Sequence, residues 1–266
     1  MSQDPWGGGS FGERGQCVLA PNPGIMTLDG TNTWVLREPG SRRSVVVDPG
    51  PLDAGHLAAV AEAAGEVAVV LLTHHHLDHS EGARAFAEQV GAPVRALDPE
   101  QRLGSEGLAD GDVVAVGDLE VHVVGTPGHT ADSLSFWVPA DRALLTGDTV
   151  LGRGTTVVAH PDGELGAYLG SLDRLHALAA AHEAVAIWPG HGPVIGDAVG
   201  ALDFYIAHRR QRLDQVEAAL AALASEEVAA DVLPGRVVEI VYADVDRVLW
   251  GAAELSVRAQ LAYLGR

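Results

Sequence analysis

Thr73-His74-His75-His76-Leu77-Asp78-His79 places four side chains able to hold a metal, His74, His76, Asp78 and His79, within six residues. The apolar run Val67-Ala68-Val69-Val70-Leu71-Leu72 leads straight into them and reads as a buried strand, and Ser80 to Val90 follows with a helical pattern. Residues two apart on a helix face nearly opposite ways, so His74 and His76 could not share an ion from a regular helix. On a strand they share a face, but Asp78 and His79 then diverge. A tight loop at the strand's carboxyl end lets all four converge, in two pairs. Imidazole and carboxylate at this density suit zinc first, then iron or manganese. A polar loop with chance histidines would stand alone, whereas here three more candidate ligands recur downstream in the same strand–loop setting.

Those three are His129, Asp148 and His191. The turn Gly125-Thr126-Pro127-Gly128-His129-Thr130 follows an alternating hairpin over 113–124 and presents His129 at a strand end. The strand 142–145 ends in Thr146-Gly147-Asp148-Thr149, and the strand 185–188 ends in Pro189-Gly190-His191-Gly192-Pro193. His122 alternates outward within its strand, and His160, His176 and His182 lie off the pattern as surface or helix residues. His56 reads as an exposed first-turn residue of an alanine-rich helix that stops at Gly65. Gly152-Arg153-Gly154-Thr155-Thr156 is glycine-rich but lacks the lysine of a phosphate-binding P-loop. No internal sequence repeat exists, yet the strand–loop–ligand layout recurs in both halves of the first 200 residues. Two similar β-rich halves meeting at one site are expected.

A chain of 266 residues can bury about three quarters of its unfolded surface and needs no disulfide staples. Cys17 is the single cysteine, which excludes an internal disulfide framework and fits a reducing compartment. The balance is acidic: 17 basic residues, all arginine, against 36 acidic ones give a net charge of −19. Such a charge disfavours broad non-specific binding to nucleic acid or anionic membrane. With no bilayer-length apolar run and no signal-peptide pattern at the N-terminus, a soluble cytoplasmic protein is expected.

Composition divides the chain in three. Residues 1–16, with Gly7-Gly8-Gly9, read as a disordered tail. Residues 17–202 carry the strands and ligand loops. Residues 203–266 are helical: Phe204 to Leu223 is long and amphipathic, and Val237 to Tyr242 and Asp246 to Tyr263 suggest two further helices. The cluster His208, Arg209, Arg210 and Arg212 on the first of these reads as a solvated helix face.

Taken together, His74-x-His76-x-Asp78-His79, Gly128-His129-Thr130, Gly147-Asp148 and Pro189-Gly190-His191-Gly192 resemble, in order and spacing, the motif set of the metallo-β-lactamase fold, over about residues 18–200. Gly154-Thr155-Thr156, Pro193-Val194-Ile195 and Tyr205-Ile206-Ala207-His208-Arg209 are similar to the beta-lactamase-like protein 2 subfamily. The resemblance implies an α/β fold. It is a four-layer αβ/βα sandwich with the site at one edge of two mixed sheets, followed by a small helical, truncated winged-helix-like domain. It implies one ion on His74, His76 and His129, a second on Asp78, His79 and His191, and Asp148 bridging both. Aspartate at the bridging position argues against antibiotic hydrolysis as the native role, and His76, where flavodiiron relatives carry glutamate, favours two zinc ions over a redox di-iron site.

Two ions about 3.5–4 Å apart share a water-derived nucleophile and polarise the scissile oxygen. The expected activity is hydrolysis by a metal-bound hydroxide of an ester, thioester or similar small acyl substrate, with Asp78 orienting the nucleophile or taking its proton. A second reading, from the subfamily resemblance, is a single-strand-specific endoribonuclease acting on RNA. A third is a non-enzymatic, metal-stabilised interaction module. Arg153, Thr155, His208 and Arg209 are the candidate substrate-binding residues; the oligomeric state is not readable.

Overall fold

The computed structural model describes residues 6–225 and 227–266. One sheet has six strands in sequential order: β1 (Gly9–Phe11), β2 (Gly15–Leu19), β3 (Asn32–Leu36), β4 (Arg43–Val47), β5 (Glu66–Leu71) and β6 (Val94–Arg95). Helices α1 (Ala54–Ala64), α2 (Leu77–Ser80) and α3 (Ala83–Val90) belong to this half. The second sheet has five strands: β7 (Val113–Val116), β8 (Leu119–Gly125), β9 (Leu134–Val138), β10 (Ala143–Gly147) and β11 (Ala186–Pro189), with α4 (Leu165–Ala181) between the last two. β4 runs parallel to β5 and β10 to β11, so both sheets are mixed. Helices α5 (Ala198–Leu223), α6 (Leu233–Val241) and α7 (Trp250–Tyr263) complete the chain.

The strands are apolar on both faces because both faces are covered. Trp34, Leu36, Val45, Val47 and Leu71 point inward to meet Val121, Val123, Phe136 and Leu145 of the second sheet. The intervening Val35, Val46 and Val70 point outward onto Leu57 and Val60 of α1 and Phe86 of α3. On the far side, Trp137, Leu144 and Ile187 pack on Leu172 and Leu175 of α4 and Leu202 of α5. The result is the expected αβ/βα sandwich.

The N-terminal expectation is corrected by the structure. Residues 1–5 lie outside the described residues, but from Trp6 onward the segment is ordered, and β1 pairs antiparallel with β2. Two aromatic side chains outweigh the glycine-rich composition. The Phe11 ring meets the Trp34 ring at 5.7 Å, and Trp34 stacks on Trp188 at 5.0 Å across the sheets. Trp6 packs on Phe11 and donates from Nε1 to Asn32 Oδ1 at 2.8 Å. Phe11→Ala will therefore destabilise the protein by about 1–3 kcal/mol, a loss of several degrees in Tm; an unchanged melting curve would return the segment to a loose tail.

The expected boundary at 202/203 falls inside α5. Leu202 and Tyr205 in its first half belong to the core against α4, while Val216, Ala219 and Leu223 in its second half pack with Val237, Val241 and Val257 of α6 and α7. One helix thus serves two cores, and no composition change marks the handover. Among the described residues after β11 there are three helices and no strand, so no wing hairpin is present. Among the described residues, no helix is long and apolar enough to cross a membrane.

Candidate metal centre

The site is built where β4, β5, β8, β10 and β11 end on one edge of the sandwich. After β5 the chain is pinned at Thr73, whose carbonyl accepts from Leu134 N of the other sheet at 2.8 Å. It then delivers His74 and His76 before turning into α2, which carries Asp78 and His79. His129 follows β8, in a turn that needs glycine before it: Gly128 has φ 132, and a Cβ there would lie 2.3 Å from the backbone of Tyr168. Gly190, beside His191, is similarly constrained, since a Cβ would lie 2.5 Å from Asp148 Oδ1 and 2.8 Å from the His79 ring. The 189–192 loop is tied to the first sheet by Asn32, which donates from Nδ2 to the carbonyls of Pro189 and Gly192 at 2.9 and 2.8 Å.

All seven expected ligands converge. Ligand atoms of His74, His76 and His129 lie within 4.8 Å of one another, as do those of Asp78, His79 and His191, and those of His74, His79 and Asp148. Asp148 faces both groups: its Oδ1 is 3.4 Å from His79 Nε2, and its Oδ2 is 3.3 Å from His191 Nε2 and 3.7 Å from His129 Nε2. Asp78 Oδ2 lies 3.2 Å from His191 Nε2.

Outer partners aim the rings. His129 Nδ1 donates to the Val157 carbonyl at 2.8 Å and His191 Nδ1 to that of Gly30 at 3.1 Å, which leaves the lone pair of each Nε2 facing the centre. His79 Nδ1 lies 2.8 Å from Asp48 Oδ2. Asp48, 2 % exposed, also accepts from Thr73 N at 2.8 Å and Thr73 Oγ1 at 2.6 Å. Sequence reasoning missed this residue. In sequence, Asp48-Pro49-Gly50-Pro51 reads only as the end of a strand. The available signal was that a carboxylate just past β4 stands level with the ligand loop once β4 and β5 pair.

A cation fits this cluster. His129 Nε2 and His76 Nδ1 face each other at 3.1 Å, and His79 Nε2 and His191 Nε2 at 3.2 Å, so each pair needs either a shared proton or a metal ion between its nitrogens. His74 Nε2 and Asp148 Oδ1 are buried with no hydrogen-bond partner. Burial, reinforced by neighbouring histidines, holds the His74 pKa well down and that of His76 down to about 4. Burial opposes charge on His191 too, but Asp148 and Asp78 outweigh it and raise the pKa to about 9. The carboxylates that stabilise protons there would equally stabilise divalent ions.

Other histidines separate as follows. His122 sits beside Glu120 at 3.1 Å, away from the centre as expected. His75 points to Asp132 at 2.8 Å and Asp162 at 3.6 Å rather than joining the seven. His56 corrects its expectation: it is buried, with Nε2 2.9 Å from Thr33 Oγ1. It shares one face of α1 with Val60 and Ala64, at four-residue spacing.

The cluster opens into a cavity of about 370 Å³. His76, Asp78, His129 and Asp148 lie at one end, and Leu151, Val157, Val245, Leu249 and Ala252 form apolar wall. Arg153, Thr155, His208 and Arg209 all line it. Arg153 is ion-paired with Asp29. The expectation of a solvated face at 208–212 is overturned for Arg209, which is 5 % exposed, because its guanidinium lies against the Tyr168 ring of α4 and the Thr156 carbonyl.

The comparisons agree with this architecture. Residues 26–191 match the family model described as the metallo-beta-lactamase superfamily. A beta-lactamase-like protein 2 homolog from Caenorhabditis elegans is 35% identical over 73% of this chain and 67% of its own length. A Drosophila melanogaster protein of the same description is 32% identical over 93% of this chain and 86% of its own. An atrochrysone carboxyl ACP thioesterase from Aspergillus fumigatus is 36% identical over 79% of this chain and 66% of its own. A beta-lactamase domain protein from Burkholderia ambifaria superposes with a TM-score of 0.78 at 22% identity, covering 99% of this chain and 90% of that one. Strand order, ligand loops and sequence likeness therefore converge: this chain belongs to the metallo-β-lactamase superfamily and is one of its hydrolases, with a His/Asp cluster for divalent metal at the edge of the sandwich.

Proposed function

We propose that the chain hydrolyses a small ester, thioester or similar acyl compound with the help of two divalent ions, zinc before iron or manganese. His74, His76 and His129 would hold one ion, Asp78, His79 and His191 the other, and Asp148 would face both. When bound, such ions lower the pKa of water toward about 7 and neutralise charge developing on the scissile oxygen. The rest falls to the chain's own groups. Asp78 has a side chain 30% exposed and lines the cavity. Burial works to raise its pKa, but His79 and His191 outweigh that and lower it, so the carboxylate is ionised at neutral pH. With Oδ2 turned to His191, its other oxygen is left to orient the attacking water and accept its proton. The apolar walls hold the acyl group.

The observation that carries this reading is the cavity itself. Four of the seven cluster residues line a cleft with apolar walls. Its volume of about 370 Å³ lies within the range of small-molecule sites, roughly 300–1,000 Å³. An apolar wall suits an acyl chain and offers a ribose–phosphate backbone little, and a net charge of −19 repels a polyanion. The thioesterase relative supports the same chemistry.

Metal-loaded protein will turn over short acyl thioesters and esters, and turnover will cease after chelation and return with added zinc. Single-stranded RNA offered in parallel will be left intact. Cleavage of RNA that weakens steeply with salt, together with no acyl turnover, would replace this reading by the endoribonuclease one.

A further inference from the structure

Helix α5 carries Tyr205, His208, Arg209 and Arg212 at i, i+3, i+4 and i+7, one continuous helical face. The last three line the cavity, and Tyr205 accepts from Leu151 N at 2.8 Å, fixing the loop that walls it. The Arg209 guanidinium lies over the Tyr168 ring, 4.9 Å from its centroid, and donates to the Thr156 carbonyl; its Nε is buried with no partner. The Arg212 guanidinium lies over the Tyr242 ring at 4.7 Å and donates from Nη1 to Gln215 Oε1 at 2.9 Å and the Val241 carbonyl at 3.1 Å.

What these two arginines lack is a carboxylate. Three arginines line the cavity, and of these Arg153 is paired with Asp29. Among the described residues, Arg209 and Arg212 have no such partner, in a chain that carries 36 acidic residues against 17 basic ones. The acidic groups that share the cavity, Asp78 and Asp148, are engaged by His79 and His191. A guanidinium withdrawn from water without a counter-charge is costly, and rings and carbonyls hold both in place. The link to the cluster is short: Thr156, which accepts from Arg209, has its hydroxyl 3.3 Å from His129 Nδ1. Leu151 and Val157 line the same cavity as the two arginines.

We propose that Arg209 and Arg212 form a carboxylate-binding subsite, so that the substrate is a small acyl ester or thioester that also bears an ionised carboxylate. This rests on the acyl-hydrolase reading above and narrows it. A planar fork of N–H donors matches a carboxylate, and the missing counter-ion of the free protein is supplied by the substrate. Specificity follows from the same groups, since a neutral acyl compound leaves both guanidinium groups unpaired.

The first test needs no turnover. Hexanoate and its neutral isostere hexanamide are titrated into metal-free protein by calorimetry. Hexanoate will bind roughly 10- to 100-fold more tightly, the worth of a charge-assisted hydrogen-bonded pair. In Arg212→Gln the preference will fall to near unity, with intermediate retention in Arg212→Lys, which keeps the charge but loses the fork. Equal binding of the two probes to the unaltered protein, or a preference unmoved in Arg212→Gln, would overturn the subsite. The second test uses loaded protein and two thioesters, ethyl thiohexanoate and the ethyl monothioester of adipic acid. KM for the carboxylated one alone will rise about tenfold or more in Arg212→Gln. If neither thioester is hydrolysed, the acyl reading fails while the hexanoate titration still decides the subsite. If an oligouridylate displaces hexanoate and is cut, the subsite is one for phosphate and the proposal falls.

Discussion

Asp148→Ala will lower hydrolysis by about a thousandfold or more and will leave the purified protein short of metal. The proposed ligand sets make Asp148 the one residue that faces both, through Oδ1 on the His79 side and Oδ2 on the His129 and His191 side. Losing it removes a charge from each position, and Lewis-acid stabilisation is worth several kcal/mol, with each 1.36 kcal/mol or so a factor of ten in rate. Asp148→Asn keeps the volume and one acceptor, so its metal content will fall less than that of the alanine variant, while its rate falls nearly as far. Folding is separable from ligation here. The metal-loaded protein will lose much more Tm in the variant than the chelated protein does, because only binding to the folded state supplies that increment. Metal content measured by elemental analysis beside initial rates decides the matter. Full turnover by Asp148→Ala, or turnover by chelated protein, would end the two-ion scheme.

What the sequence made legible divides along a physical line. The seven cluster residues were visible because four crowd into 74–79 after an apolar run, and His129, Asp148 and His191 each follow a strand in a turn whose glycine or proline announces it; local pattern and chemistry coincide there. The sheets were legible for the same reason. Arg209 was not, because a basic cluster on an amphipathic helix looks the same whether its polar face meets water or a cavity. Only the contact with Tyr168 of α4 and the Thr156 carbonyl distinguishes the two, and that is a tertiary fact. The N-terminal segment misled in the opposite sense: composition argued for disorder, while Trp6 and Phe11 had a docking place beside Trp34 that no local window contains. His56 was legible and overlooked, since its four-residue spacing to Val60 and Ala64 placed it on the buried face of α1.

Asp48 is the sharpest case of a residue hidden by locality, and its replacement carries the second large effect. In chain order it is a turn residue with φ 51 after β4. In space, β4 and β5 pair with Val47 beside Leu71, which sets the Asp48 carboxylate against Thr73 and His79. Three donors, Thr73 N, Thr73 Oγ1 and the His79 ring, converge on its two oxygens. Asp48→Ala leaves Thr73 N and the His79 ring buried without an acceptor, and Thr73 Oγ1 with only His74 Nδ1, 2.9 Å away. Breaking a buried, charge-assisted network in this way costs about 3–5 kcal/mol, so the metal-free protein will lose much of its folding stability. Asp48→Asn is the more informative variant. Its oxygen can still accept from Thr73, but its amide cannot accept from His79, so the ring loses the partner that directs Nε2 inward. Metal affinity will then fall about 10- to 100-fold, the usual cost of losing an outer-shell partner, while chelated Asp48→Asn melts closer to the unaltered protein than Asp48→Ala does. Competition with a chromophoric chelator reads the affinity, and thermal melts of both variants with and without zinc read the stability. If Asp48→Asn binds zinc as tightly as the unaltered protein, His79 is oriented by packing alone and the carboxylate beneath it serves only the fold.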